Sequence, residues 1–178
     1  MCSKSIVDKK KLKNIDSISN FKCGHLNLRI LRDGTWLYQG SPINRIEIAK
    51  LFSTVLKLDD DGLYYLETPV EKGRIDVDDA PFVIIKMKVK EINGVQCVEV
   101  FTNLDHKIII NKENPLIMEL NKKTNEMLPY VIVRDNLKAL FNRSVYYDLV
   151  NLTVKDKDDP SLLGIWSEKI FFELGRLD

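Results

Sequence analysis

Seven arginines stand against 20 lysines in this chain, so lysine is its default cation and each arginine asks for a reason. A guanidinium offers a planar fork of donors that grips carboxylate or phosphate bidentately and stacks on rings, as an ammonium does not. Three arginines, Arg74, Arg134 and Arg143, fall inside well-patterned segments. Arg143 is followed at i+3 and i+4 by Tyr146 and Tyr147, positions that share one helix face. A cation beside two phenol rings can sandwich a base or another flat anion. Arg134 immediately precedes Asp135, read here as a helix N-cap, where free amides and the helix dipole favour negative charge. The structural alternative has Arg74 and Arg134 paired with Glu71, Asp76 or Asp79 to pin two parts of the chain together, while Arg143 covers its tyrosines.

The other reactive side chains are sparse. His25 lies two residues from Cys23, but one such pair without further ligands makes no metal site. His106 is read as a surface residue, and neither histidine has a serine or cysteine nucleophile at a motif-like spacing. The acidic runs Asp59–Asp61 and Asp156–Asp159 lack the alternating ligands of a calcium loop. Strand alternation turns Asp76 and Asp78 away from the face of Ile75 and Val77, so they are expected to be solvated or salt-bridged. The 8 glycines never cluster into a phosphate loop. Cys97 reads as a packed small side chain. No catalytic residue, metal or cofactor is expected.

Several elements must carry these residues. Leu26–Leu31 and Thr35–Tyr38 flank Asp33-Gly34 as a hairpin. In SPINRIEIAKLFSTVLKL, Ser41 suits an N-cap and Pro42 the first helical position, with Asp59-Asp60-Asp61-Gly62 ending that helix. From Leu63 to Leu120 the pattern is strands, with Asn93-Gly94 joining Val83–Val89 to Val95–Phe101. Tyr130–Val133 reads as a strand and Leu137 to about Tyr147 as a second helix. Leu152–Val154, Leu162–Trp166 and Ile170–Phe172 close the chain as strands.

One internal echo runs through this order. Thr68–Phe82 (TPVEKGRIDVDDAPF) and Thr102–Leu116 (TNLDHKIIINKENPL) share Thr, Ile and Pro at matched positions, 34 residues apart. Both tryptophans also follow a glycine by two residues, as Gly34-Thr35-Trp36 and Gly164-Ile165-Trp166. Such periodicity suggests a supersecondary unit used twice. The fold class expected is α+β, with mostly antiparallel sheets, two helices and an internally duplicated core. The expected division is a flexible tail over 1–20, an α+β lobe over 21–79 and a second over 80–178.

Composition narrows the partners. With 44% apolar and 30% charged residues, the 178-residue chain reads as globular. Its 27 basic and 26 acidic residues create no general field for nucleic acid or anionic lipid. No run reaches the roughly 18 apolar residues of a membrane span. The N-terminus lacks a signal-peptide core, and three irregularly spaced cysteines suggest no disulfide framework, so a cytoplasmic location is expected.

Read together, DGTWLYQGSPI, DGLYYLETPVEKGRIDVDDAPF, PYVIVRDNLKALFNRSVYYDLV and LGIWSEKIFFEL resemble the bacterial family known as domain of unknown function 1285. The resemblance runs from about Leu28 to Leu174. It implies a duplicated core whose C-terminal part is pleckstrin-homology-like, and a cleft between the parts that takes a nucleotide-like ligand in a signalling role. The positions matching motifs near such a cleft are Glu71, Arg74, Arg134, Arg143 and Tyr147, with Tyr146 beside them from the helical spacing. The functional expectation is a regulatory protein, not an enzyme, holding a nucleotide-derived small molecule between its lobes. The alternative is an interaction or homo-oligomerising scaffold that extends an open sheet edge.

Overall fold

The structure, a computed structural model, describes residues 22–121 and 124–177, and side chains from residue 24 onward. The tail expected over 1–20 lies outside the described residues.

The first lobe starts with a hairpin, β1 (Lys22–Ile30) and β2 (Trp36–Tyr38), around Asp33-Gly34 as expected. Leu28 and Ile30 point into the core while Arg29 faces out to Asp78. The Asp33 carboxylate accepts from the Thr35 N–H at 2.9 Å and closes the turn. Gly34 sits at φ 85, and a Cβ there would lie 2.4 Å from the Asn103 amide nitrogen of the second lobe, so only glycine fits.

The chain then departs from the expected helix start. Ser41 and Pro42 form a two-residue strand, β3 (Ser41–Pro42), folded back on β2 through Gln39-Gly40, both at positive φ. Proline is tolerated there because an edge strand needs no donor on its outer side. The helix α1 (Ile46–Thr54) begins later, with Arg45 at its N-cap and no side-chain cap bond. Nor does Asp59–Gly62 end it. That run is the turn between β4 (Leu56–Leu58) and β5 (Tyr64–Glu67), which a third strand, β6 (Glu71–Val77), extends into a meander. The sheet order is β3-β2-β1-β6-β5-β4, and β1 runs parallel to β6.

The second lobe opens with β7 (Phe82–Ile92) and β8 (Val95–Thr102), joined at Asn93-Gly94 as expected. β9 (Lys107–Ile109), β10 (Leu116–Asn121), β11 (Glu126–Arg134) and β12 (Leu137–Phe141) follow, in the order β10-β11-β12-β7-β8-β9. Here the expected second helix is corrected. Asp135 and Asn136 both take positive φ (45 and 61) as a two-residue hairpin turn, so Leu137 begins a strand. The helix α2 (Arg143–Asn151) starts six residues later, capped by Asn142, whose side-chain Oδ1 accepts from Val145 N–H at 2.8 Å. β13 (Val154–Lys155), β14 (Leu162–Ser167) and β15 (Ile170–Arg176) make a third sheet. Among the described residues the protein is mostly β with two helices, and antiparallel except where β1 meets β6 and β12 meets β7.

The 34-residue echo is a recurrence of turn chemistry. Thr68 closes the β5–β6 turn by accepting from Glu71 N–H, and Thr102 closes the β8–β9 turn by accepting from His106 N–H. A larger recurrence lies above it: hairpin, nine-residue helix, three-strand meander. Its helix and strands begin at 46, 56, 64 and 71 in the first lobe and at 143, 154, 162 and 170 in the second. The spacing between the two passes is constant to about two residues, as expected of a repeated unit. At this spacing the Asn44-Arg45 pair before α1 falls on Asn142-Arg143 at the start of α2.

One core serves both lobes. Leu28, Ile30 and Trp36 share a buried cluster with Phe82, Val98 and Ile165. Asn103 staples the lobes, accepting from Val83 N–H at 3.0 Å and donating to the Gly34 carbonyl at 3.2 Å. Ser167 ties the third sheet to the second, donating to the Ile110 carbonyl at 2.6 Å and accepting from Val98 N–H at 2.9 Å. No helix among the described residues is long and apolar enough to cross a membrane.

Candidate functional site

The six residues singled out by sequence divide into two groups. Arg143, Tyr146 and Tyr147 converge on one groove, and Glu71, Arg74 and Arg134 lie elsewhere. Arg134 is not at a helix N-terminus. It ends β11, half-buried, and its guanidinium donates to the Ser53 carbonyl in the last turn of α1 while lying 5.9 Å from the centre of the Phe82 ring. It thus joins the two lobes. Arg74 is exposed beside Asp76 at 3.8 Å, and His25 approaches the same carboxylate at 3.3 Å. Glu71 is exposed at the rim of a second, apolar groove under α1. His106, expected at the surface, is half-buried instead, edge-on to Phe82 at 5.1 Å and bonded to Thr102.

The groove that gathers Arg143, Tyr146 and Tyr147 has a volume of about 1010 Å³. It forms where the β1–β2 loop of the first lobe meets β7, β11, β12 and the start of α2. Ile85, Leu128 and Leu140 give it apolar walls, and the first lobe contributes Arg32 and Asp33. Arg143 occupies the first position of α2, where backbone amides have no carbonyl one turn earlier to bond. Its Nε and Nη2 donate to the Tyr147 hydroxyl at 3.2 and 3.1 Å, which holds the guanidinium firmly protonated. Since that hydroxyl accepts from arginine, its own proton is free to point at a ligand. Among the described residues no carboxylate lies within ion-pair distance of Arg143.

Arg32 was not singled out by sequence, because its meaning comes from the other lobe. Its Nε is 3.3 Å from Asp79, whose side chain is 13% exposed and also accepts from the Tyr130 hydroxyl at 2.8 Å. Burial, with the bond to Asp79, pushes the Tyr130 phenol far up, so it stays a donor. The only sequence signal was position, directly before the Asp33-Gly34 turn. Asp33 and Glu126 also line the groove, so its positive character is concentrated around Arg32 and Arg143. The bond from Thr35 N–H holds the Asp33 carboxyl below its ordinary range. Among the described residues no cluster of histidine, cysteine or carboxylate could hold a metal ion.

Comparison with known proteins agrees along the chain. Residues 15–80 match the N-terminal domain of DUF1285, a domain of unknown function, and residues 81–174 match the C-terminal domain of the same family. A DUF1285 family protein from Silicibacter pomeroyi DSS-3 is similar in structure, with TM-score 0.79 and 39% identity over 88% of this chain and 84% of that one. One from Shewanella baltica OS155 gives TM-score 0.54 and 28% identity over 70% of this chain and 90% of that one. No curated protein matches. With both halves matched in order and the boundary falling between β6 and β7, the chain belongs to the DUF1285 family.

Proposed function

We propose that this protein is a binding protein for a small anionic molecule carrying a flat ring, of the nucleotide class, held in the groove at the lobe junction. The observation that carries the reading is Arg143. It is a guanidinium without a carboxylate partner among the described residues, standing at a helix N-terminus beside two tyrosines. The anionic group would meet Arg143 and the first amides of α2, and the ring would lie against Tyr146 or Tyr147 over the apolar wall. Arg32 lies on the first lobe and Arg143 on the second, so a bound anion reaching both would bridge them. That supports a regulatory role, with the C-terminal lobe acting as a pleckstrin-homology-like recognition unit, over a catalytic one. Among the described residues that line the groove, no nucleophile is paired with a base.

A thermal-shift screen with nucleotides and phosphorylated sugars tests this. A ligand present at a hundredfold its dissociation constant adds about 2.7 kcal/mol, which raises the midpoint by several degrees at about 2–4 °C per kcal/mol. Arg143→Gln abolishes the shift while leaving the unliganded midpoint unchanged, because the side chain is exposed. If no compound of either class shifts the wild-type midpoint, the reading fails.

A further inference from the structure

The sheet of the second lobe is ragged on one side. β12 runs beside β7 only over Phe82, Val83 and Ile84, and the chain then turns away into α2. β7 continues to Ile92, in an unbroken ladder with β8 from Lys86 onward. Beyond Ile84 its other flank is therefore open. Among the described residues no backbone hydrogen bond from a third element reaches it. A row of unpaired N–H and C=O groups is a template for another strand.

The side chains along this edge select which strand fits. Lys86, Lys88 and Lys90 are exposed and share one face with Phe101 and Glu99 of β8. The buried Glu99 carboxylate is divided between Lys90 and Lys107, each at 2.8 Å. Among the described residues Lys86 and Lys88 have no carboxylate within ion-pair distance. Both lie instead over the Phe101 ring, 5.7 and 5.6 Å from its centre, so two like charges gather on one ring without a counter-charge. The opposite face of the same strand carries Met87, half-buried, and Val89, 44% exposed. A strand laid on this edge thus meets ammonium groups on one face and apolar side chains on the other, in alternation. A second copy of this chain does not satisfy that pattern. Added antiparallel with its lysines on the same face, it can set Lys88 against Lys88 and Lys86 against Lys90, a repulsion that guards the edge against self-pairing.

We propose that the open flank of β7 takes up an extended segment of a partner protein in which acidic and apolar residues alternate, adding it to the sheet as a further strand. Its acidic side chains fall beside Lys86 and Lys88 and its apolar ones beside Met87 and Val89, while main-chain bonds carry the pairing. The pairing does not use Arg143, so it stands or falls apart from the reading of that groove. Fluorescence anisotropy on the full chain with a labelled Glu-Val-Glu-Val-Glu-Val-Glu peptide tests this. The alternating peptide should bind, and Glu-Glu-Glu-Glu-Val-Val-Val, of the same composition, should bind about tenfold more weakly. Lys86→Glu with Lys88→Glu should weaken the alternating peptide by about tenfold. With the wild-type chain, N-methylation of every second peptide amide should abolish binding in one phase and spare it in the other, since only one set faces β7. No binding of the alternating peptide overturns the proposal. Equal binding of the two peptides does so too, because charge alone is then being read. Tolerance of N-methyl groups in both phases removes main-chain pairing and overturns it as well. Amide exchange over residues 86–92 that slows with protein concentration assigns the edge to a second copy, which also overturns it.

Discussion

Arg134 and Arg143 share a side chain, and their surroundings set opposite expectations for mutation. Arg134 gives a charge-assisted bond to the Ser53 carbonyl and covers Phe82. Arg134→Lys loses the planar fork and its stacking, so denaturant unfolding should show a loss of about 1.5–3 kcal/mol with any ligand response intact. Beside it, burial and the Arg134 charge hold the His106 imidazole below its ordinary 6.5. The unfolded chain therefore binds a proton first as pH falls. Stability should decline once pH drops below about 6.5 and continue until the folded imidazole is protonated too. His106→Gln should flatten the fall of unfolding midpoints as pH drops below about 6.5. The pairing of Arg143 with Tyr147 was legible because i, i+4 spacing is local. The partners of Arg134 and Arg32 were not, since Ser53 and Asp79 lie far off in the chain.

At the scale of elements, two-residue turns decide what sequence reveals. Asn93-Gly94 announced its hairpin, since both residues accept positive φ. Asp135-Asn136 takes the same geometry, yet an aspartate before an apolar run also looks like a helix cap, and that reading displaced α2. Glu168-Lys169 is less legible still. Both sit at positive φ, 48 and 65, where neither is favoured, and the turn is held by Glu168 N–H donating to the Gln96 carbonyl at 2.9 Å. That conformation costs about 1 kcal/mol or more per residue. Lys169→Gly should relieve it and raise stability by about 1 kcal/mol, seen as a higher urea midpoint with unchanged slope. The helix ends were misread for a related reason. Ser41-Pro42 has the chemistry of a helix start, but the Gln39-Gly40 turn folds it onto β2 first.

For the whole molecule, the two lobes matched by separate family domains share one hydrophobic cluster and the Asn103 staple. Calorimetry should therefore show a single transition whose calorimetric and van't Hoff enthalpies agree. Two resolved peaks would mean that the shared core is energetically weak. The mostly antiparallel character was visible in the hairpin signals, and the parallel joins of β1 with β6 and β12 with β7 were not, because no local turn encodes them. The first of these joins has a consequence for biosynthesis. β1, the first strand among the described residues, ends as an inner strand between β2 and β6, so on the ribosome it waits with one flank unpaired until Glu71–Val77 has emerged. Pairing over that separation slows folding. A chaperone that shields exposed strand flanks should be needed most during that interval, before the second lobe has been made.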